Sequence, residues 1–312
     1  MAVYTNIEIE DAQLIFNGLG VIASIEGITE GVENSNFLIQ LEDKSKYIFT
    51  IFEKRTKEQD LPFFNNAMAE FKNAGINCPV ATQINHKDIF NIHNKPCAIY
   101  SFIQGRPIQN FNNKNLSSLA KFTANMQNIG LKSSLVREND MLLPTWKYIL
   151  EKFKDYEGKN LQEFNHVKNL IKNIYDKFPT NIRKGLIHAD LFKDNIFFND
   201  DSVSGVIDFF FTCTDSVIYD LSTLINAWFF KQEVFFENEF QIFFKNYLDN
   251  ISLNQTEKEY LNFYLKCSAI RFFLTRLHDK YFNNSGQVNH KNPLDFFEIL
   301  KFHEKNNLQD FF

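Results

Sequence analysis

Residues 186–211 restrict the fold more than any other stretch of the chain. Leu186-Ile187-His188-Ala189-Asp190 and Ile196-Phe197-Phe198 are β-prone, Asn199-Asp200-Asp201-Ser202 is a polar turn, and Val203-Ser204-Gly205-Val206-Ile207-Asp208 is β-prone again. Two such runs about a polar turn predict a β-hairpin flanked by loops. The surrounding spacing is helical. Leu116, Leu119, Phe122 and Met126 share one helix face, and Trp146, Ile149, Leu150 and Phe153 begin another. Thr256-Glu257-Lys258-Glu259 reads as a capping box opening a helix to about Tyr281. With the turn at 199–202, Phe198 falls near Val203 and Ile196 near Gly205. Asn195 and Asp208 are then expected at the same end of the hairpin.

The first hundred residues have a different texture. Ile22–Gly27, Phe37–Leu41, Tyr47–Phe52 and Cys97–Phe102 read as strands. Leu61, Phe64, Met68 and Phe71 have helical spacing, with Asp60 as N-cap, Pro62 in the first turn and Gly75 past the end. The breaker Gln104-Gly105-Arg106-Pro107 marks a boundary. The expected architecture is α+β: a small antiparallel-sheet N-lobe over 1–104 and a larger, mainly helical C-lobe over 105–312. A length of 312 residues suits two lobes.

Composition excludes several classes. A net charge of −5 argues against a nucleic-acid partner. The four cysteines, Cys78, Cys97, Cys213 and Cys267, form no CxxC pair, so no zinc knuckle or redox motif is indicated. The polar start Met1–Asp11 lacks the character of a signal peptide, and no apolar run approaches membrane-spanning length. A cytoplasmic protein acting on a small molecule, with no membrane partner, is expected. The oligomeric state is left open.

His188-Ala189-Asp190-Leu191-Phe192-Lys193-Asp194-Asn195 fits H-x-D-x-x-x-x-N, the spacing of a kinase catalytic loop, and Ile207-Asp208-Phe209 follows on the next strand. Phosphoryl transfer needs a carboxylate to take the acceptor hydroxyl's proton, a role for Asp190. It also needs hard oxygen ligands for Mg²⁺, a role for Asn195 and Asp208. His188 is expected to brace the loop. The competing reading of His-x-Asp as part of a metal hydrolase needs further clustered ligands, and the other histidines are scattered. ATP is expected in the N-lobe. There the turn Gly27–Phe37, with Gly31, Asn34 and Ser35, lets backbone N–H groups approach phosphates, and Ser101-Phe102-Ile103 forms the adenine hinge.

On these motifs the chain resembles the aminoglycoside phosphotransferase-like kinases, a branch of the protein-kinase-like fold, and more narrowly the homoserine kinases among them. Val32-Glu33-Asn34-Ser35-Asn36 and the Asp208–Asp215 run carry the narrower likeness, and Met1–Thr5, Asp60–Phe64, Tyr219–Leu221 and Arg271-Phe272-Phe273-Leu274-Thr275-Arg276-Leu277 belong to the match as a whole. The resemblance implies ATP-dependent phosphorylation of L-homoserine to O-phospho-L-homoserine, a step toward threonine. It implies that Asp220 anchors the catalytic loop. One departure stands out. The strand position that usually carries a phosphate-holding lysine falls near Thr50, so Lys54, Lys46 or Arg55 would have to substitute, with Glu70 as the helical partner. Homoserine has a carboxylate and an ammonium, and Arg271, Arg276 and Asn226 are the candidate acceptor contacts. Two further readings compete: a kinase for choline, a sugar or an aminoglycoside, and a catalytically inactive kinase-fold binding module.

Overall fold

The computed structural model describes residues 5–29, 34–53, 55–231, 233–282 and 291–312. It separates into two compact units. The first comprises the described residues of Met1–Gly105 with Ser204–Phe210, and the second those of Arg106–Val203, Phe211–Asn284 and His290–Phe312.

In the first unit, α1 (Ile9–Phe16) precedes β1 (Ile22–Ile28), β2 (Ser35–Leu41) and β3 (Lys46–Ile51). Then come α2 (Leu61–Asn73), β4 (Phe90–Ile92) and β5 (Lys95–Ser101). The strands form one antiparallel sheet in the order β1-β2-β3-β5-β4. Burial alternates strictly along β2, so one sheet face is a core face. Phe37, Ile39, Phe49, Ile51, Cys97 and Ile99 pack there against Ala12 and Phe16 of α1. Phe16 meets Tyr47 and Phe49 edge-on at 6.1 and 5.8 Å. Its burial contributes about 2–3 kcal/mol. The α2 span agrees with its sequence signals, and Gly75 takes the left-handed conformation (φ 97°) that ends it. Asp60 does not cap it: a 3₁₀ turn, Glu58–Asp60, leads into the helix and the Asp60 side chain makes no cap bond. Within this unit Gly205 lies under Asn77 and Ile103, where a Cβ would approach to 2.8 and 2.6 Å. The Val206 N–H donates to the Asn77 carbonyl at 3.0 Å.

The second unit holds α3 (Asn113–Gly130), α4 (Leu143–Lys152), α5 (Leu161–Ile174), β6 (Lys184–Ile187) and β7 (Ile196–Asn199). β8 (Ser202–Val206) starts in it, and β7 and β8 form the expected hairpin with Asp200 at φ 50° in the turn. β9 (Cys213–Ser216), absent from the sequence reading, pairs antiparallel with β6. α6 (Val217–Trp228), β10 (Phe230–Lys231), β11 (Val234–Phe235), α7 (Glu237–Leu248), α8 (Gln255–Phe282) and α9 (Leu294–Lys305) follow. α3 lies so close to β6 that a Cβ on Gly130 would meet the Leu186 carbonyl oxygen at 2.0 Å, so only glycine fits. The cap of α8 differs from expectation. The box is Asn254 with Glu257, whose reciprocal bonds are 2.9 and 2.8 Å. All four cysteines are buried and free. Among the described residues no helix is long and apolar enough to cross a membrane.

Candidate active site

The catalytic loop leaves β6 at Ile187 and turns at Ala189, whose φ is +65°. A non-glycine residue there costs roughly 1 kcal/mol or more, so the surroundings must hold it. Both backbone groups of Ala189 are held. Its N–H donates to Asp220 Oδ1 at 2.7 Å, from the first turn of α6. Its carbonyl accepts from Arg271 Nη1, from α8. The Trp228 indole N–H, at the other end of α6, donates to the Leu191 carbonyl at 3.1 Å. Within the loop the Asp190 N–H donates to His188 Nδ1 at 3.2 Å, and His188 is fully buried. Burial raises the Asp220 carboxyl to about 6, against the N–H donation from Ala189.

This frame fixes Asp190. Its Oδ2 accepts from Asn195 Nδ2 at 3.1 Å, and its carbonyl accepts from the same nitrogen at 2.9 Å. Its Oδ1 lies 3.7 Å from Arg271 Nη2, and 15% of its side chain stays exposed. The carboxylate is thus gripped on two sides with an open edge. Asn195 spends its amide nitrogen on Asp190, which leaves Oδ1 as its hard oxygen donor. Asp208, in the first unit, has φ +66°, and Phe209 and Phe210 beside it pack into rings of that unit. Among the described residues no three His, Cys, Asp or Glu side chains cluster as a metal cage. Mg²⁺ can bind through only one or two protein oxygens and fill its remaining positions with phosphate and water, so it requires no such cage.

Arg271, expected at the acceptor, braces the catalytic loop. It is 1% exposed, donates to Tyr219 Oη at 3.1 Å, and has its guanidinium carbon 4.9 and 4.5 Å from the Phe211 and Phe272 ring centres. Burial pulls its pKa down. Tyr219 and Asp190 more than offset this, and the net shift is upward. Arg271→Met is expected to destabilise the protein by about 2–4 kcal/mol, because the Ala189 carbonyl and the Tyr219 hydroxyl lose a buried charged donor. Chemical denaturation checks this, and an unchanged midpoint would contradict it.

Asn226 is also inside: its amide donates to the Leu265 carbonyl at 2.9 Å and its Oδ1 faces His303 Nε2 at 2.8 Å. Both ends of its side chain thus bond groups of the protein. Nη1 of Arg276 bonds Asn292 O at 3.0 Å and Asp295 Oδ2 at 3.3 Å, and the guanidinium stacks on Phe296 at 4.5 Å. Nε and Nη2 of Arg276 have no bond among the described residues. Asp295, Asp190 and Asp194 act on its charge, against a larger burial effect that lowers its pKa.

Among the residues expected at the nucleotide, Gly31 and Lys54 lie outside the described residues. Ser35, named for the backbone N–H groups of its turn, has its side chain engaged inside the protein. It faces the α1 side of the sheet, fully buried, and its hydroxyl donates to Glu53 at 2.6 Å while accepting the Thr5 N–H at 3.1 Å. Glu53 also pairs with Lys95, and these bonds hold its carboxyl below the usual range against the opposing effect of burial. Asn34 is 5% exposed, with Oδ1 accepting from no group among the described residues. The Ser101 backbone and hydroxyl are occupied by Val80, at 3.0 Å each. Phe102 and Ile103 lie beyond the last β3–β5 pair, Tyr47 with Ser101.

Residues 24–250 match the phosphotransferase enzyme family. The structure is similar to an amicoumacin kinase solved with AMP-PNP and Ca²⁺ (TM-score 0.70, 16% identity, 95% of this chain and 92% of that one). It is also similar to a spectinomycin phosphotransferase solved with ADP and its substrate (TM-score 0.69, 16% identity, 96% and 95%). The fold is therefore the two-lobed α+β fold of protein-kinase-like phosphotransferases. The sequence is 34% identical over 313 residues to the homoserine kinase of Rhizobium etli, covering 98% of this chain and 97% of that protein. It is 34% identical over 311 residues to that of Agrobacterium fabrum (97% and 96%) and 32% over 312 residues to that of Parvibaculum lavamentivorans (97% and 96%). The chain belongs, within the phosphotransferase enzyme family, to the homoserine kinases.

Proposed function

We propose that this chain transfers the terminal phosphoryl group of ATP to the side-chain hydroxyl of L-homoserine, with Asp190 taking the hydroxyl proton. The observation that supports it is the braced Asp190 carboxylate, oriented by Asn195 and Arg271, in a chain similar to homoserine kinases over nearly its whole length. The acceptor oxygen forms a bond to the terminal phosphorus, the bridging P–O bond breaks, and ADP and O-phospho-L-homoserine leave. Asn195 Oδ1 and the Asp208 carboxylate would hold Mg²⁺, which when bound offsets phosphate charge. The Phe102–Ile103 backbone is assigned to the adenine. Arg276, whose Nε and Nη2 have no bond among the described residues, is assigned to the acceptor carboxylate.

This pocket must read a carboxylate and an ammonium, and buried groups matched to those charges reject ligands lacking them strongly. In an acceptor panel with ATP and Mg²⁺, L-homoserine is expected to be phosphorylated well and choline or 1-propanol hardly at all. Serine is expected to be poor, because its hydroxyl falls one methylene short of Asp190. Robust turnover of choline or an aminoglycoside, with none of homoserine, would leave only the kinase class standing.

A further inference from the structure

The sheet of the first unit has two unlike faces. The apolar face lies under α1. Alternation places Asn36, Thr50 and Ala98 together on the other face, since Asn36 pairs with Thr50 and Thr50 with Ala98. Thr50 is 2% exposed, and its hydroxyl donates to Asn36 Oδ1 at 2.8 Å. Fixing Oδ1 in this way fixes the whole carboxamide. Its Nδ2 donates to no group among the described residues, and Asn36 is half-buried. Asn36 also pairs with Ile28, the last residue of β1, so it stands beside the β1–β2 loop. The segment carrying Asp208 reaches this same face. Phe210 meets Phe52, Phe64 and Tyr100 at 5.1, 5.9 and 6.1 Å, and Phe52 and Tyr100 share the parity of Thr50.

We propose that Asn36, oriented by Thr50, donates its amide N–H to a phosphate oxygen of the nucleotide, in place of the cation that kinases carry on the third strand. The proposal rests on the kinase reading but not on the identity of the acceptor. An N–H donated to an anionic oxygen is a charge-assisted bond, stronger than a neutral pair. Thr50 is a positioning residue: it carries no charge, and its work is to keep Oδ1 turned away from the ligand.

Direct calorimetric titration with ADP and with adenosine, in the absence of acceptor, tests this. Asn36→Ala is expected to weaken ADP binding roughly tenfold and to leave adenosine binding unchanged, because adenosine has no phosphate. Thr50→Val is expected to weaken ADP in the same direction by less, and Thr50→Ser to restore it. Loss of ADP and adenosine affinity in equal measure would make the pair merely structural. Undiminished ADP binding by Asn36→Ala would overturn the assignment outright. If Asn36→Ala does not fold, the Val and Ser replacements at position 50 still decide. A failure of the homoserine assignment would leave these titrations unaffected.

Discussion

Asp208→Ala is expected to abolish phosphoryl transfer, lowering kcat by about three orders of magnitude or more. The carboxylate is assigned to Mg²⁺, and removing one of two protein oxygens removes several kcal/mol of charge stabilisation in the transition state. The fold should survive, because the packing of this segment is carried by Phe209 against Phe71 and by Phe210 against Phe52, Phe64 and Tyr100. The backbone adds one complication. Asp208 sits at φ +66°, a conformation that Asp and Asn tolerate better than Ala. Ala there should cost about 1 kcal/mol of stability. Asp208→Asn keeps the backbone and one neutral oxygen but loses the charge. It should be deeply impaired at ordinary Mg²⁺ with a thermal midpoint close to that of the parent. Activity titrated against Mg²⁺ for the three proteins, beside their melting curves, checks both statements. Full turnover by Asp208→Ala would remove Asp208 from the metal site.

What the sequence disclosed, and what it hid, follows from how local each signal is. α2 was legible because Pro62 and Gly75 mark its ends and its apolar residues repeat with helical spacing. The β7–β8 hairpin was legible from the polar turn between two β-prone runs. β9 was not, because Cys213-Thr214-Asp215-Ser216 has no strand pattern and is a strand only through its pairing with β6. At the start of α8, Asn254-x-x-Glu257 and Thr256-x-x-Glu259 both fit a capping box, and only geometry chose the first. In the glycine-bearing turn the hidden quantity was parity. A one-residue step along a strand exchanges faces, so the side chains of Ser35 and Asn36 lie on opposite faces and Asn36 shares one with Thr50. Counting by twos across the strands from Thr50 would have found it only with the register known. At the acceptor the difficulty was depth. Arg271 and Arg276 are five residues apart on one helix, so they point in different directions. One braces the loop from inside, and the other keeps Nε and Nη2 without a bond among the described residues.

Asp190→Asn is expected to lower kcat by roughly 10²–10⁴-fold, with a much smaller change in the KM for ATP. The argument starts from what the substitution leaves in place. An asparagine fills nearly the same volume, and the loop is braced through backbone groups of Ala189 and Leu191 that do not depend on this side chain. Two things change. The base is gone, so the hydroxyl proton has no nearby acceptor. The charge facing Arg271 is also gone, which leaves a buried guanidinium with one fewer counter-charge at 3.7 Å. The first effect falls on the chemical step and the second on loop stability, so they separate by measurement. Single-turnover rates read the former and denaturation midpoints the latter. Both should move, with the rate moving far more than the midpoint, while ADP affinity stays near that of the parent because the residues assigned to the adenine and phosphates are unchanged. A change confined to the KM for ATP would contradict the role given to Asp190.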